Sequence, residues 1–412
     1  MCKKTDHNLI EKKYRLADFF NQWWDEYAKH PKHYITPEQY KAVNAMRVCR
    51  TAALGIDVYA CPECGEVTEI YHSCKNRFCP TCSWRDTVKW AEKVKEKMMC
   101  IPHRHVIMTL PHQLNGLIKH NEKLLYNTLL RTSADTFKDW MLEKHNLKPG
   151  IISVLHTFGE TKDYHVHVHM IVSWGGIEKV TRLLKPIKGE FVNYDFLKNK
   201  FRKKFEDTLF SLYENGELRH DFKNIISLRQ YINRINRKKW NIRLELPMDV
   251  PEKVVRYIGR YSKRTCLSEY KITKMEGRKI GFRYKDNKNK DINGRPIEKE
   301  MEMDYTDFFP RLLQHVPLKY FRLVRYYGYY SNSGSIPEEY LSKFDKKENE
   351  TTTSEEENDG NNHELTDSKI CEYCEKEKIY IHTVFKSKNN PEVINYRREL
   401  LNRKALFKKT AA

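Results

Sequence analysis

Long apolar runs are missing from this 412-residue chain. Nothing approaches the roughly 18 apolar residues that cross a bilayer, and Met1 to Arg15 has no apolar signal-peptide core. Both absences lead us to expect a cytoplasmic protein with no membrane partner. In that reducing setting the 11 cysteines are thiols or metal ligands rather than a disulfide framework. A Gly-x4-Gly-Lys-Ser/Thr phosphate loop is also missing, so no nucleotide cofactor is expected, and no internal repeat is visible. Acids are scarce relative to bases, 55 against 75, giving a net charge of +20 and a pI near 9.3. Such a balance implies a polyanionic partner, for which nucleic acid is the usual choice, and a nucleoid-associated location.

Forty per cent hydrophobic content supports a sizeable core, while a mean hydropathy of −0.77 requires a very polar surface. The length suits two or three domains. We expect an N-terminal segment of helices and a cysteine-rich module over 1–100, a catalytic α+β domain over 101–335, and an acidic linker with a short tail over 336–412. The linker reading rests on 345–367, which holds nine acids and two lysines, is without periodicity and reads as disordered; the rest of the chain carries +27 by difference. Helices are predicted over 8–50, near 85–100, over 113–145, 190–237 and 250–264. Strands are predicted at 106–110, ended by Pro111, and at 241–246, with a hairpin of 151–158 and 164–174 around a Gly159–Asp163 turn.

Two motifs carry metal chemistry. Cys61-Pro62-Glu63-Cys64 and Cys79-Pro80-Thr81-Cys82 are C-x2-C pairs fourteen residues apart. Such pairs wrap tight turns round a tetrahedral ion, and thiolates favour Zn²⁺. Four cysteines leave no open position, so the role is structural. Cys74 and His72 lie between the pairs and could replace a ligand or hold a second ion. The basic and aromatic Lys75-Asn76-Arg77-Phe78 stretch would then sit on a rigid knuckle, as a DNA contact or as a solvated loop. Cys371-Glu372-Tyr373-Cys374 is a lone pair beyond the acidic run. The second motif is Tyr164–Val172, which alternates with period two. As a strand it puts His165, His167 and His169 on one face and Val166, Val168, Met170 and Val172 on the other. Imidazoles two residues apart can grip a cation and leave positions open for a phosphate oxygen; a metallohydrolase would use the same pattern.

Asp249-Val250-Pro251-Glu252 resembles a helix start, with a capping carboxylate and an early proline. On the helix that follows, Tyr257 and Tyr261 stack on one side, with Arg260 and Arg264 beside them. A tyrosine pair at this spacing is commonly packing, but next to bases it could also attack and hold backbone phosphates. Lys198, Lys200, Arg202, Lys203, Lys204, Arg234, Arg237, Lys238 and Lys239 form either a nucleic-acid groove or a solvated helical surface.

Taken together, CPECG…SCKNRFCPTC at 61–82, HRHVIMTLP at 103–111, HVHMIVSWGG at 167–176, YIGRYSKR at 257–264 and RLLQHVPLKYFRLVRYYGYYSN at 311–332 resemble, in order, the insertion sequence 91 family of transposases. That family lies within the His-hydrophobic-His (HUH) endonuclease superfamily, and the likeness covers roughly residues 10–332. It implies an antiparallel-sheet HUH core with packed helices, preceded by a small helical zinc-binding domain. It implies His167 and His169 as the pair holding Mg²⁺ or Mn²⁺, and Tyr257 and Tyr261 as nucleophiles. The activity implied is nicking and joining of single-stranded DNA through a 5′-phosphotyrosine, with transposon ends as partners. The third ligand stays open among His165, His156, His105 and a carboxylate. Rival readings are a plasmid replication initiator or relaxase, a zinc-containing DNA-binding regulator without catalysis, and a metallohydrolase.

Overall fold

The computed structural model describes residues 14–189, 192–236, 240–248, 265–342 and 370–385. The chain opens with α1 (Leu16–Lys29), α2 (Pro37–Arg47), β1 (Ile56–Ala60), β2 (Val67–Tyr71) and α3 (Pro80–Lys95). Next come β3 (His103–Thr109), α4 (Asn115–His120), α5 (Glu122–His145), β4 (Leu147–Lys148), β5 (Gly150–Phe158) and β6 (Tyr164–Ser173). They are followed by β7 (Gly175–Glu178), β8 (Leu184–Pro186), α6 (Tyr194–Glu214), α7 (Ile225–Asn236) and β9 (Asn241–Leu244). The last described elements are β10 (Ile272–Glu276), β11 (Lys279–Lys290), β12 (Pro296–Asp304), α8 (Tyr305–Leu313), β13 (Val324–Gly328) and β14 (Ile379–Val384). The class is α+β with antiparallel sheets. The helix predicted over 250–264 and the acidic run 345–367 lie outside the described residues.

Among the described residues, 14–82, 269–282 and 370–385 form one compact unit. Its helices bury Phe19, Phe20 and Trp24 of α1 against Ala42, Val43 and Met46 of α2. Helix α2 starts at a capping box: Gln39 N–H donates to Thr36 Oγ1, and Thr36 N–H donates to the Gln39 side chain, with Pro37 as first helical residue. Helix α1 has no local cap. Instead the buried carboxylate of Glu269 accepts from Leu16 N–H at 3.1 Å, placing a negative charge at the positive helix end. A three-stranded sheet of order β14-β1-β2 completes the unit. The segment 370–385, read from sequence as part of a tail, supplies its edge strand.

The described residues from 83 to 268 and from 283 to 342 form the second unit. Its centre is a five-stranded sheet of order β13-β5-β6-β3-β9. Strand β6 occupies the middle because it is apolar on both faces for part of its length. Val166, Val168, Met170 and Val172 point into the main core with Val106, Met108, Leu155, Phe137 of α5, Phe201 and Phe205 of α6 and Ile232 of α7. On the opposite face, Ile152 and Ile171 meet Trp90 and Val94 of α3 and the nearby Met98. The histidines occupy the remainder of that opposite face. The β5–β6 hairpin closes through Lys162 N–H to Gly159 O at 3.1 Å. Beneath it buried His315 pairs with Thr157 Oγ1 and the Lys162 carbonyl, fixing the hairpin end.

Candidate metal centre and zinc-binding module

Register assembles the histidines. His156 of β5 lies directly across from His167 of β6, and Ile107 of β3 lies across from His169. The ligand nitrogens of His156, His167 and His169 are all within 4.8 Å of one another. His165 does not join them. It stands one pleat nearer the hairpin turn, where a shift between His156 and Phe158 disturbs the pairing, so the additional histidine is His156 instead. His105, another of the open choices for third ligand, sits behind His169 rather than in the cluster.

Hydrogen bonding sets the tautomers. His167 Nδ1 lies 2.9 Å from the His165 carbonyl, to which only an N–H can bond, so its Nε2 keeps the lone pair. His169 Nδ1 lies 2.8 Å from His105 Nε2. His105 Nδ1 in turn is 3.2 Å from a Glu245 carboxylate oxygen, angled too poorly for a full hydrogen bond but favouring a proton there. That order directs the His169 Nδ1 proton towards His105 and leaves His169 Nε2 with a lone pair. The two Nε2 atoms are then 3.0 Å apart, an unfavourable approach of two acceptors unless a cation joins them. Adjacent ligands on an octahedral ion with bonds of about 2.1 Å stand ~3.0 Å apart, so the spacing fits such an ion, and imidazole donors favour a first-row transition ion such as Mn²⁺ over Mg²⁺. Burial, followed by the neighbouring His156, pushes the pKa of both His167 and His169 well below the usual histidine range, keeping both neutral as ligation requires. Arg243, with its side chain two-thirds exposed at the rim, adds a positive charge that acts on His169.

The cysteines do not group as their spacing suggests. Cys61 and Cys64 do not share a site with Cys79 and Cys82. Five residues of β2 carry the chain about 17 Å between the pairs. Cys79 and Cys82, at the start of α3, meet Cys49 from the end of α2 and Cys74 from the loop after β2. The Cys49–Cys82 and Cys74–Cys82 sulfur separations are 3.6 Å, and Cys79–Cys49 is 3.7 Å. A tetrahedron with Zn–S bonds of ~2.3 Å has edges of about 3.8 Å. Four thiolates this close need a cation, which supports zinc here. Cys61 and Cys64 stand instead beside Cys371 and Cys374. His72 is not a ligand, since its ring nitrogens contact Asp57 and the Leu54 carbonyl. Lys75 and Arg77 are exposed on the loop between Cys74 and Cys79, but Phe78 is buried and presents no aromatic platform.

The basic helix α6 does not form a free cationic groove. Lys198, Lys200, Arg202, Lys203 and Lys204 pair with Asp195, Glu143, Glu206, Asp207 and Asp139 respectively. This helix also packs on the sheet face away from the histidines. Arg237, Lys238 and Lys239, together with Tyr257, Arg260, Tyr261 and Arg264, lie outside the described residues.

A sulfur-ligated module and a histidine-bearing antiparallel sheet on a strongly basic chain point to a metal-binding DNA-processing protein. Residues 150–337 match the family described as "Putative transposase", and residues 19–110 match the "Transposase zinc-binding domain". "Putative transposase y4qJ" of Sinorhizobium fredii is 30% identical over 327 residues, covering 77% of this chain and 80% of that protein. The transposase for insertion sequence element IS801 of Pseudomonas savastanoi pv. phaseolicola is 27% identical over 306 residues, 71% of this chain and 70% of its own. No solved structure matches the chain at a significant level. The chain belongs to the insertion sequence 91 family of transposases. No helix among the described residues is long and apolar enough to cross a membrane.

Proposed function

We propose that this transposase nicks and rejoins single-stranded DNA on an HUH-type core, through a 5′-phosphotyrosine, in rolling-circle-like transposition. The observation that carries the reading is the cluster of His156, His167 and His169, convergent at the middle of the sheet, with His167 and His169 held neutral by burial. These three would hold Mg²⁺ or Mn²⁺, which when bound supplies Lewis-acid polarisation of the scissile phosphate. Glu245 and His105 orient His169 so that its Nε2 lone pair faces the cluster. Arg243 at the rim offers a cation to a phosphate oxygen.

In the step itself the hydroxyl oxygen of Tyr257 or Tyr261 bonds to phosphorus as its proton leaves. The bond from phosphorus to the 3′-oxygen breaks, and that oxygen takes up a proton to become a free 3′-OH. The phosphodiester is exchanged, not hydrolysed, so rejoining requires no nucleotide. Both tyrosines enter by resemblance to the family. Two of them would let one strand end be held while another is cut.

A denaturing gel tests the proposal. A labelled single-stranded oligonucleotide carrying an element end is incubated with the full chain and Mn²⁺, then treated with detergent. A shifted band that survives detergent, and that disappears with His167→Ala/His169→Ala, is expected. Free fragments without a shifted band would mean metal-assisted hydrolysis and overturn the covalent step.

A further inference from the structure

The second cysteine cluster joins residues 307 positions apart, and the sequence on its two sides folds into matching turns. Cys61 N–H donates to the Glu66 carbonyl at 2.8 Å and Gly65 N–H to the Cys61 carbonyl at 2.9 Å. Cys371 N–H donates to the Lys376 carbonyl at 2.8 Å and Glu375 N–H to the Cys371 carbonyl at 2.9 Å. In each turn the residue after the second cysteine has positive φ, 71° at Gly65 and 56° at Glu375. Glycine takes that conformation freely, whereas a glutamate there is uncommon and needs surrounding contacts to hold it. Each turn aims both of its sulfurs at one point, as a metal knuckle does.

The sulfurs are at ligation distance across the two turns. Cys61 and Cys374 are 3.3 Å apart, Cys64 and Cys371 3.4 Å, and Cys64 and Cys374 3.8 Å. A disulfide would need about 2.05 Å, whereas the edges of a Zn–S4 tetrahedron are about 3.8 Å. Cys61 and Cys371 are buried and Cys374 half-buried, with Cys64 at the surface. The strands that flank the knuckles pair as well. Ile56 to Ala60 of β1 runs against Val384 to Ile379 of β14, with a bulge between Val58 and Tyr59. Thr383 Oγ1 donates to Asp57 at 2.5 Å, and the largely buried Lys378 donates to Thr68 Oγ1.

We propose that Cys61, Cys64, Cys371 and Cys374 hold a second zinc ion that staples segment 370–385 to the zinc-binding module as its edge strand. The matched family domain spans 19–110, so half of this site comes from outside it. The ion is structural, because four thiolates leave no position for a substrate. Its effect is to hold the C-terminal segment against β1 whatever course residues 343–369 take.

The test uses the full chain, purified with zinc and a reductant. Elemental analysis should give two zinc per chain, falling to one in Cys371→Ser/Cys374→Ser, while the conservative Cys371→His keeps two. In a companion variant a protease site is inserted within 345–367 and cut. The C-terminal fragment should co-elute with the body, and should separate when the two serine substitutions are also present. One zinc in the unaltered protein, two in the double-serine variant, or loss of free thiols at these four positions through disulfide formation would each overturn the site. A fragment that stays bound in the double-serine background would overturn the staple. Zinc is counted without DNA in a His167→Ala/His169→Ala background, so ions held at the histidines do not enter the count and the outcome is independent of the chemistry there.

Discussion

The pair behind His169 gives the most informative perturbation of the metal centre. His105 is almost fully buried, its Nε2 is 2.8 Å from His169 Nδ1, and its Nδ1 faces Glu245 at 3.2 Å. Removing the carboxylate by Glu245→Gln keeps the shape and leaves an amide where the proton on His105 Nδ1 was favoured. His105 is then released to its other tautomer, and His169 loses the bias that leaves Nε2 unprotonated. Loss of such an outer partner weakens metal binding by about 10- to 100-fold, or ~1.4–2.7 kcal/mol. Glu245 is partly exposed and acts through His105, so its variant belongs near the 10-fold end. His105→Ala removes the direct partner and belongs near the 100-fold end. The assay is Mn²⁺ titration followed by electron paramagnetic resonance of the free ion, with Mn²⁺ dependence of adduct formation as a second readout. Both should shift together while adduct yield at saturating Mn²⁺ largely recovers. Unchanged Mn²⁺ affinity in a folded His105→Ala protein would refute the orienting role.

Other consequences can be checked separately. Cys79→Ser/Cys82→Ser should lose one zinc by elemental analysis while the histidine centre keeps its Mn²⁺ affinity. Trp24→Ala removes a fully buried ring packed on Phe20, Tyr27 and Tyr40. It should destabilise the first unit by about 3–5 kcal/mol, read from urea unfolding by fluorescence. Alanine at Lys198, Lys203 and Lys204 together should change single-stranded DNA affinity less than about twofold at moderate salt, because each cation is already paired with an acid. A large loss measured by fluorescence anisotropy would restore α6 as a nucleic-acid surface.

How far the site was legible in the sequence follows from the range of each signal. The alternation Tyr164–Val172 reports directly on a strand with two unlike faces, and β6 carries that pattern as expected. What alternation cannot supply is the identity of cross-strand neighbours. His156 reaches His167, and His105 reaches His169, only through the register of three strands, so the third histidine stayed ambiguous. The HRH spelling at 103–105 marks His105 as unusual, but nothing local distinguishes it from His103, whose buried ring pairs with Tyr330. Cysteine pairs reveal knuckles, because a C-x2-C turn is a local device, yet the partner of a knuckle is a tertiary fact. Cys49 is a single cysteine after a helix and carried no motif, and the Cys371–Cys374 pair looked solitary because Cys64, which faces Cys371, is 307 positions away. The basic appearance of α6 left groove and solvated surface equally open for the same reason. Asp139 and Glu143, which neutralise two of its lysines, belong to α5.

The central claim is covalent attachment at a tyrosine, and peptide mapping of a trapped adduct tests it most directly. The full chain is reacted with a single-stranded element end and Mn²⁺, digested with protease and nuclease, and the nucleotide-bearing peptide sequenced by mass spectrometry. Attachment at Tyr257 or Tyr261 is expected, absent in Tyr257→Phe/Tyr261→Phe protein that still binds the oligonucleotide. Attachment at any other residue, or an adduct that persists in the double variant, would contradict the account.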